Sequence, residues 1–242
     1  MEKVYRAQYR LLFEKHWWWR ARAEAILDTL RHIQPPQGCR TILDVGCGEG
    51  LFFDRLSEFG EVEGIDLPEA VAESGSACRQ RIYVGPFDES FQPSKQYSLI
   101  LMLDVLEHLP DPVAALRRAL ALLNPSGALL ITVPAFNLLW TNHDVINHHL
   151  TRYTKSSFRR VAQQAGLQIE AERYWFQWTC PVKLATRLVE SLLGLQPRAP
   201  DIPPRVINES LHRFSRLEQK ALGWLPVPFG STLMVLGRKR SA

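Results

Sequence analysis

A chain of 242 residues, 46% hydrophobic and 22% charged, is long and apolar enough to bury a core, which excludes a disordered protein. A net charge of +4 permits an anionic partner and requires none. Cys39, Cys47, Cys78 and Cys180 form no CxxC pair, the start "MEKVYRAQYR" lacks a signal-peptide core, and no uncharged apolar run approaches the roughly 18 residues of a spanning helix, so a reduced, cytoplasmic protein is expected.

In chain order, Tyr5, Tyr9, Leu12, His16, Trp19, Ala23, Ile26 and Leu30 repeat at spacings of three and four and predict one amphipathic helix, stopped by "QPPQG". Alternation follows. "TILDVG" reads as a strand, "LFFDRLSEF" as a helix, "EVEGIDL" as the second strand and "RIYVGP" as a weaker third. "YSLILMLD" is a continuous apolar run, the pattern of a strand buried on both faces. "DPVAALRRALALL" reads as a helix with Asp111 as N-cap and Pro112 at its first position; "NPSG" is a turn and "ALLITVP" the fifth strand. "KSSFRRVAQQAG" predicts a helix ending at Gly166, followed by the strand "LQIEAERYW". Val182, Ala185, Leu188, Val189, Leu192 and Leu193 mark an amphipathic helix with Lys183, Arg187 and Glu190 opposite, its apolar face expected in the core first and as a membrane foot second. Residues 196–230 read as irregular and proline-rich, and "STLMVLGR" closes as a strand. Strands alternating with helices make βαβ units, a parallel sheet and right-handed crossovers.

"LDVGCGEG" falls where the first strand meets its helix. Gly46, Gly48 and Gly50 let the backbone turn tightly and approach a ligand. The spacing GxGxG differs from the GxGxxG of dinucleotide sites, and Asp44 precedes it. An acid there repels pyrophosphate and suits an ammonium or sulfonium cation. Asp66 ends the second strand, where a carboxylate suits two ribose hydroxyls. Together these specify S-adenosylmethionine better than NAD.

These stretches resemble the class I S-adenosylmethionine-dependent methyltransferases: "LDVGCGEG" their first motif, "GIDL" their ribose-binding strand end, "LMLDVLEHLPDP" their fourth-strand motif and "LNPSGALLITVP" their turn into strand five. The resemblance covers roughly residues 37–175. It implies an α/β, Rossmann-like, seven-stranded, mostly parallel sheet whose last strand is antiparallel. The cofactor-binding residues it implies are Asp44, Gly46, Cys47, Gly48, Gly50, Asp66, Leu67, Leu103 and Asp104, with Asp104 positioning the methionine end. Where the family often has an acid near the adenine, this sequence has "YVGPFDES", so Phe87 or Asp88 is expected to flank the ring. "HWWWRARAEAIL" and "HDVINHHLTRYT" resemble paired segments of one bacterial branch, with Thr151 where a second arginine is common.

The stretch "HDVINHHLTRY" follows the fifth strand, at the sheet edge where ligands bind. His143, Asp144 and His148 could ligate a metal, but loop spacing alone is poor support and no metal is expected. His149, Arg152 and Tyr153 could instead hold the loop together. The third reading is an acceptor wall in which His143 or His149 takes a proton; His108, just past strand four, is the other candidate base. Trp17, Trp18 and Trp19 read as core first, and as a lipid-facing surface beside Lys15, Arg20 and Arg22 second.

The expected organisation is a helical lid over residues 1–36, a methyltransferase core over 37–175, and an extension over 176–242. The expected activity is methyl transfer to a small-molecule or lipid-linked acceptor, chiefly at oxygen. Peripheral membrane contact stays open, as does oligomeric state. Two rivals remain: a nucleic-acid methyltransferase, for which only the charge speaks and no nucleic-acid partner is expected, and a non-catalytic cofactor-binding scaffold.

Overall fold

The computed structural model describes residues 3–33, 39–71, 76–196, 200–222 and 225–240. The chain divides into two compact units. A sheet unit comprises Leu30–Val133, Lys155–Glu172 and Met234–Ala242, and a helical unit comprises Met1–Thr29, Pro134–Thr154 and Arg173–Leu233.

In chain order the elements are α1 (Lys3–Lys15), α2 (Trp17–Ile33), β1 (Thr41–Val45), α3 (Phe53–Leu56), β2 (Glu61–Asp66), α4 (Pro68–Val71), α5 (Ser76–Arg79), β3 (Ile82–Val84) and β4 (Tyr97–Leu103). There follow a 3-10 turn at Leu106–His108, α6 (Pro112–Leu122), β5 (Leu123–Pro134), a 3-10 turn at Asn137–Leu139, α7 (Asn142–Ile146), α8 (Lys155–Ala165), β6 (Leu167–Trp175), α9 (Thr179–Leu193), α10 (Arg205–Leu222) and β7 (Thr232–Lys239).

Among the described residues, seven strands form one sheet in the order β3-β2-β1-β4-β5-β7-β6. β1 lies parallel to both β2 and β4, with Asp44 level with Gly64 on one side and Leu101 on the other. Leu99, Ile100, Leu101 and Met102 of β4 are all buried, because a parallel strand is covered on both faces. β7 runs against β6: the backbone at Gly237 crowds Leu167, and that at Gly230 crowds Trp175. The expected Rossmann-like sheet with an antiparallel last strand is therefore present. Chain order reverses between β1 and β4, so the carboxyl ends of those strands open the crevice in which α/β sheets bind ligands.

Four local expectations need correction. The N-terminal helix is two helices broken at His16, whose Nδ1 accepts the Trp18 N–H at 3.1 Å. Asn208 of α10 clamps the same corner, accepting from Trp17 N at 2.9 Å and donating to the Lys15 carbonyl at 2.8 Å. Helix α3 has four residues where nine were expected. Strand β5 starts before "NPSG", which still bows outward: the register moves from Tyr97↔Leu123 to Leu99↔Ala128. Residues 196–230 are not all irregular, since α10 has 18 residues. Prolines crowd both of its flanks, but none interrupts 205–222.

Asp111 does cap α6, accepting from Ala114 N with Pro112 in the first turn, and Gly166 closes α8 at φ +81°. The core of the helical unit gathers Leu12, Trp19 and Ile146, with Tyr9, Phe13, Trp18 and Ile202 packed against them.

Candidate active site

The loop after β1 is built by its glycines. Gly46 has φ +73°, and a Cβ there would stand 2.7 Å from Cγ2 of Val105. Only glycine lets the β1 loop press against the turn after β4. Gly48, at φ +56°, has nothing within 4 Å of a built Cβ, so the outer side of the loop is open to an incoming molecule. Gly50 repeats the left-handed conformation at φ +74°.

Asp66, at the end of β2, holds this loop. Its Oδ2 accepts the Gly48 N–H at 2.7 Å and its Oδ1 accepts the Leu67 N–H at 2.7 Å. Leu67 is exposed beside it. Asp44 is buried in β1. Burial, then the charges of Asp44 and Asp66, push the Cys47 thiol far up, so it stays protonated beneath the loop.

Leu103 ends β4, and Asp104 follows at φ +58°, a conformation that aspartate tolerates better than most residues. Two bonds to Thr132 of β5 hold it: Asp104 N donates to the Thr132 carbonyl at 2.8 Å, and Thr132 Oγ1 donates to Asp104 Oδ1 at 3.1 Å. Phe87 is half-buried, its ring 6.1 Å from Phe91. Asp88 is exposed and closes a turn, accepting from Ser90 N at 2.8 Å and Ser90 Oγ at 2.6 Å. Those bonds hold its carboxyl below the usual range. His108 is half-buried at the end of a 3-10 turn, its N–H on the Val105 carbonyl at 3.0 Å. The sheet unit thus joins Gly48 to Asp66 and the β1 loop to the turn carrying Asp104. Sequence reasoning missed Val105 and Thr132, whose roles depend on neighbours in other strands.

In the helical unit the centre of the histidine stretch is an acid. Asp144 is fully buried on α7. Its Oδ1 accepts from Arg152 Nε at 2.8 Å and bonds His149 Nδ1 at 2.8 Å; its Oδ2 accepts from Arg152 Nη2 at 2.8 Å and Thr141 N at 2.8 Å. Burial alone would raise its carboxyl, but the bonds from His149 and Arg152 outweigh burial and hold it well below the usual range. Arg152 also donates to the Ala135 carbonyl at 3.1 Å, and Tyr153 N to the Pro134 carbonyl at 2.8 Å, stitching the stretch to the end of β5.

His143 Nε2 faces Asn147 Nδ2 at 3.2 Å. Burial, then the positive charge of Lys183, lower its pKa to about 3, so the ring is neutral. Burial, then Arg152, likewise lower Lys183 of α9 to about 8. No local signal links Lys183 to a stretch some forty residues earlier. His148 is exposed, at φ +57°.

The tryptophan run packs within the helical unit. Trp19 is buried against His16 at 4.9 Å and Tyr9 at 6.3 Å, Trp18 meets Phe176 at 6.1 Å, and Trp17 meets Trp178 at 5.2 Å. Trp19 is in the core as the first reading expects, whereas Trp17 and Trp18 are half-buried.

Fold and loop together define a class, and sequence comparison agrees: the profile of the family described as "Methyltransferase domain" matches residues 18–172. The chain belongs to this family of class I S-adenosylmethionine-dependent methyltransferases, and S-adenosylmethionine is the cofactor that goes with it. It is 32% identical over 157 residues to a ubiquinone biosynthesis O-methyltransferase of Xanthomonas axonopodis pv. citri (strain 306), covering 56% of this chain and 65% of that one. The chain spans less than two thirds of the length of the first curated relatives it matches. Among solved structures it is similar to a SAM-dependent methyltransferase from Archaeoglobus fulgidus, with TM-score 0.54, 19% identity and coverage of 90% and 94% of the two chains. It is also similar to an O-methyltransferase family protein from Burkholderia thailandensis, with TM-score 0.57, 15% identity and coverage of 98% and 60%.

Proposed function

We propose that the chain transfers a methyl group from S-adenosylmethionine to an oxygen of a small-molecule or lipid-linked acceptor. The observation that carries this is the Asp66–Gly48 contact: the carboxylate at the end of β2 holds a glycine loop whose outer side is open to a ligand. The bound cofactor supplies a methyl group made electrophilic by its sulfonium. Asp66 accepts the ribose hydroxyls, and the backbone from Gly46 to Gly50, with Cys47 beneath, carries the cofactor's body. Asp44 favours its positive charge. Leu103 and Asp104 position its methionine end, while Phe87 and Asp88 flank its adenine. The name of the Xanthomonas relative supports oxygen over nitrogen or carbon as the acceptor atom.

An acceptor hydroxyl gives up a proton as it is methylated, and a neutral imidazole suits that task. The candidates are His108, His143 and His149. His149 has the strongest support, because a buried acid orients its ring through Nδ1.

Calorimetry tests the cofactor half. S-adenosylhomocysteine should bind the protein, and Asp66→Ala should weaken it about tenfold or more through the lost hydrogen bonds. Turnover of a catechol probe tests the base. His149→Ala should lower kcat while leaving the affinity for S-adenosylhomocysteine unchanged. Binding of NAD with none of S-adenosylhomocysteine would sink the proposal.

A further inference from the structure

Helix α9 is buried only in its first turn. Thr179 and Cys180 are buried, but the residues from Leu184 to Val189 and from Ser191 to Leu193 are exposed. Its apolar stripe, expected in the core, faces outward: Val182, Leu188, Val189, Leu192 and Leu193 are 50, 59, 46, 73 and 68% exposed. The charged side chains are what tie the helix down. Arg187 donates to the carbonyls of Asn137 at 3.1 Å and Leu138 at 2.7 Å, and Glu190 accepts from Asn142 N at 2.9 Å. The segment they hold presents Leu138 and Leu150, 64 and 60% exposed.

Contiguous exposed apolar side chains of this size mark a partner surface. Among the described residues no helix is long and apolar enough to cross a membrane. A helix of 15 residues with one apolar face suits the interface plane instead. Charge selects the partner. The helical unit carries 15 Lys and Arg against 9 Asp and Glu, a net +6, whereas the sheet unit carries 14 against 16, a net −2. A second copy would set +6 against +6; an anionic lipid surface offers the opposite sign.

We propose that α9 is an interfacial helix that lays Val182, Leu188, Val189, Leu192 and Leu193 into the surface of an anionic bilayer, with the positive helical unit drawn to its headgroups. This goes beyond the methyl-transfer reading and does not depend on it. The full chain should co-sediment with phosphatidylcholine vesicles doped with phosphatidylglycerol, more weakly with phosphatidylcholine alone, and less at high salt. Leu188→Glu/Leu192→Glu should weaken sedimentation with the doped vesicles at least about tenfold, because two leucines no longer enter the apolar layer. Circular dichroism and calorimetric binding of S-adenosylhomocysteine should match the unmodified chain. Equal binding by the variant, or no binding by the unmodified chain, overturns the proposal. A dimer in light scattering that the double substitution dissolves assigns the face to a second copy and overturns it too.

Discussion

Replacing Asp144 by alanine should be among the most damaging single changes in the helical unit. The carboxylate is fully buried and takes both Nε and Nη2 of Arg152, whose side chain is 1% exposed. Removing the acid leaves a buried guanidinium that, among the described residues, has only the Ala135 carbonyl to accept from its head group. Breaking a buried pair in this way costs about 3–5 kcal/mol. For a chain of this length each kcal/mol moves Tm by about 2–4 °C, so a fall of about 6–20 °C is expected. The second arm is Asp144→Ala combined with Arg152→Met, which removes both charges and keeps the bulk. The double variant should be more stable than the sum of the two single losses by at least about 1.5 kcal/mol, because each single loss includes stranding the other charge. Urea unfolding followed by circular dichroism, with slopes compared, measures all four proteins. If the losses add within about 0.5 kcal/mol, or if Asp144→Ala costs less than about 1 kcal/mol, this carboxylate is not the hub of the helical unit.

Acid should weaken the protein earlier than carboxylate titration alone would. Burial lowers His16 to about 4, and burial with the charge of Lys183 lowers His143 to about 3, both from an unfolded value near 6.5. Between those values the unfolded chain binds more protons, so their contribution is complete above about pH 6.5 and is lost as pH falls toward 4 and then 3. The depressed carboxyl of Asp144 adds a further loss below about pH 4. A urea midpoint that is the same at pH 7 and pH 5 contradicts this. Gly46→Ala should cost about 1–3 kcal/mol, since it combines a left-handed φ with a Cβ 2.7 Å from Val105; adding Val105→Ala should recover the contact but not the backbone strain. Thermal melts of the two proteins separate the contributions, and an unchanged melt for Gly46→Ala refutes the packing. Asn208→Ala should cost about 1–3 kcal/mol by stranding Trp17 N–H and the Lys15 carbonyl, and a loss within error of zero would show that water replaces the amide.

What the sequence made legible was local. The residues from Leu43 to Gly50 and from Gly64 to Asp66 announce a strand end, a turn and an acid within a few positions, and the sheet puts them where that order implies. The features that stayed hidden depend on distant partners. Nothing near His16 foretells a helix break, because Asn208 makes two of these three hydrogen bonds at the corner. The period of α9 reveals an apolar face but not its direction, and Arg187 and Glu190 decide that through Leu138 and Asn142. In "HDVINHHLTRY" the histidines drew notice as titratable groups. The structure makes Asp144 the centre, and an acid eight residues before its arginine is no recognisable pattern. Helix α10 was masked by its own flanks, since prolines at 203, 204, 226 and 228 give the whole segment a loop-like composition.

The corner at His16 also sets a clock on synthesis. Trp17 waits for an amide 191 residues further along the chain, and its ring for Trp178. At ordinary ribosomal rates that interval is roughly 10–40 seconds. During it the tryptophan-rich start of the chain exists without the residues that cover it, while the strands β1 to β5 emerge and can pair. During that interval these aromatic side chains offer a chaperone a surface that the finished fold covers.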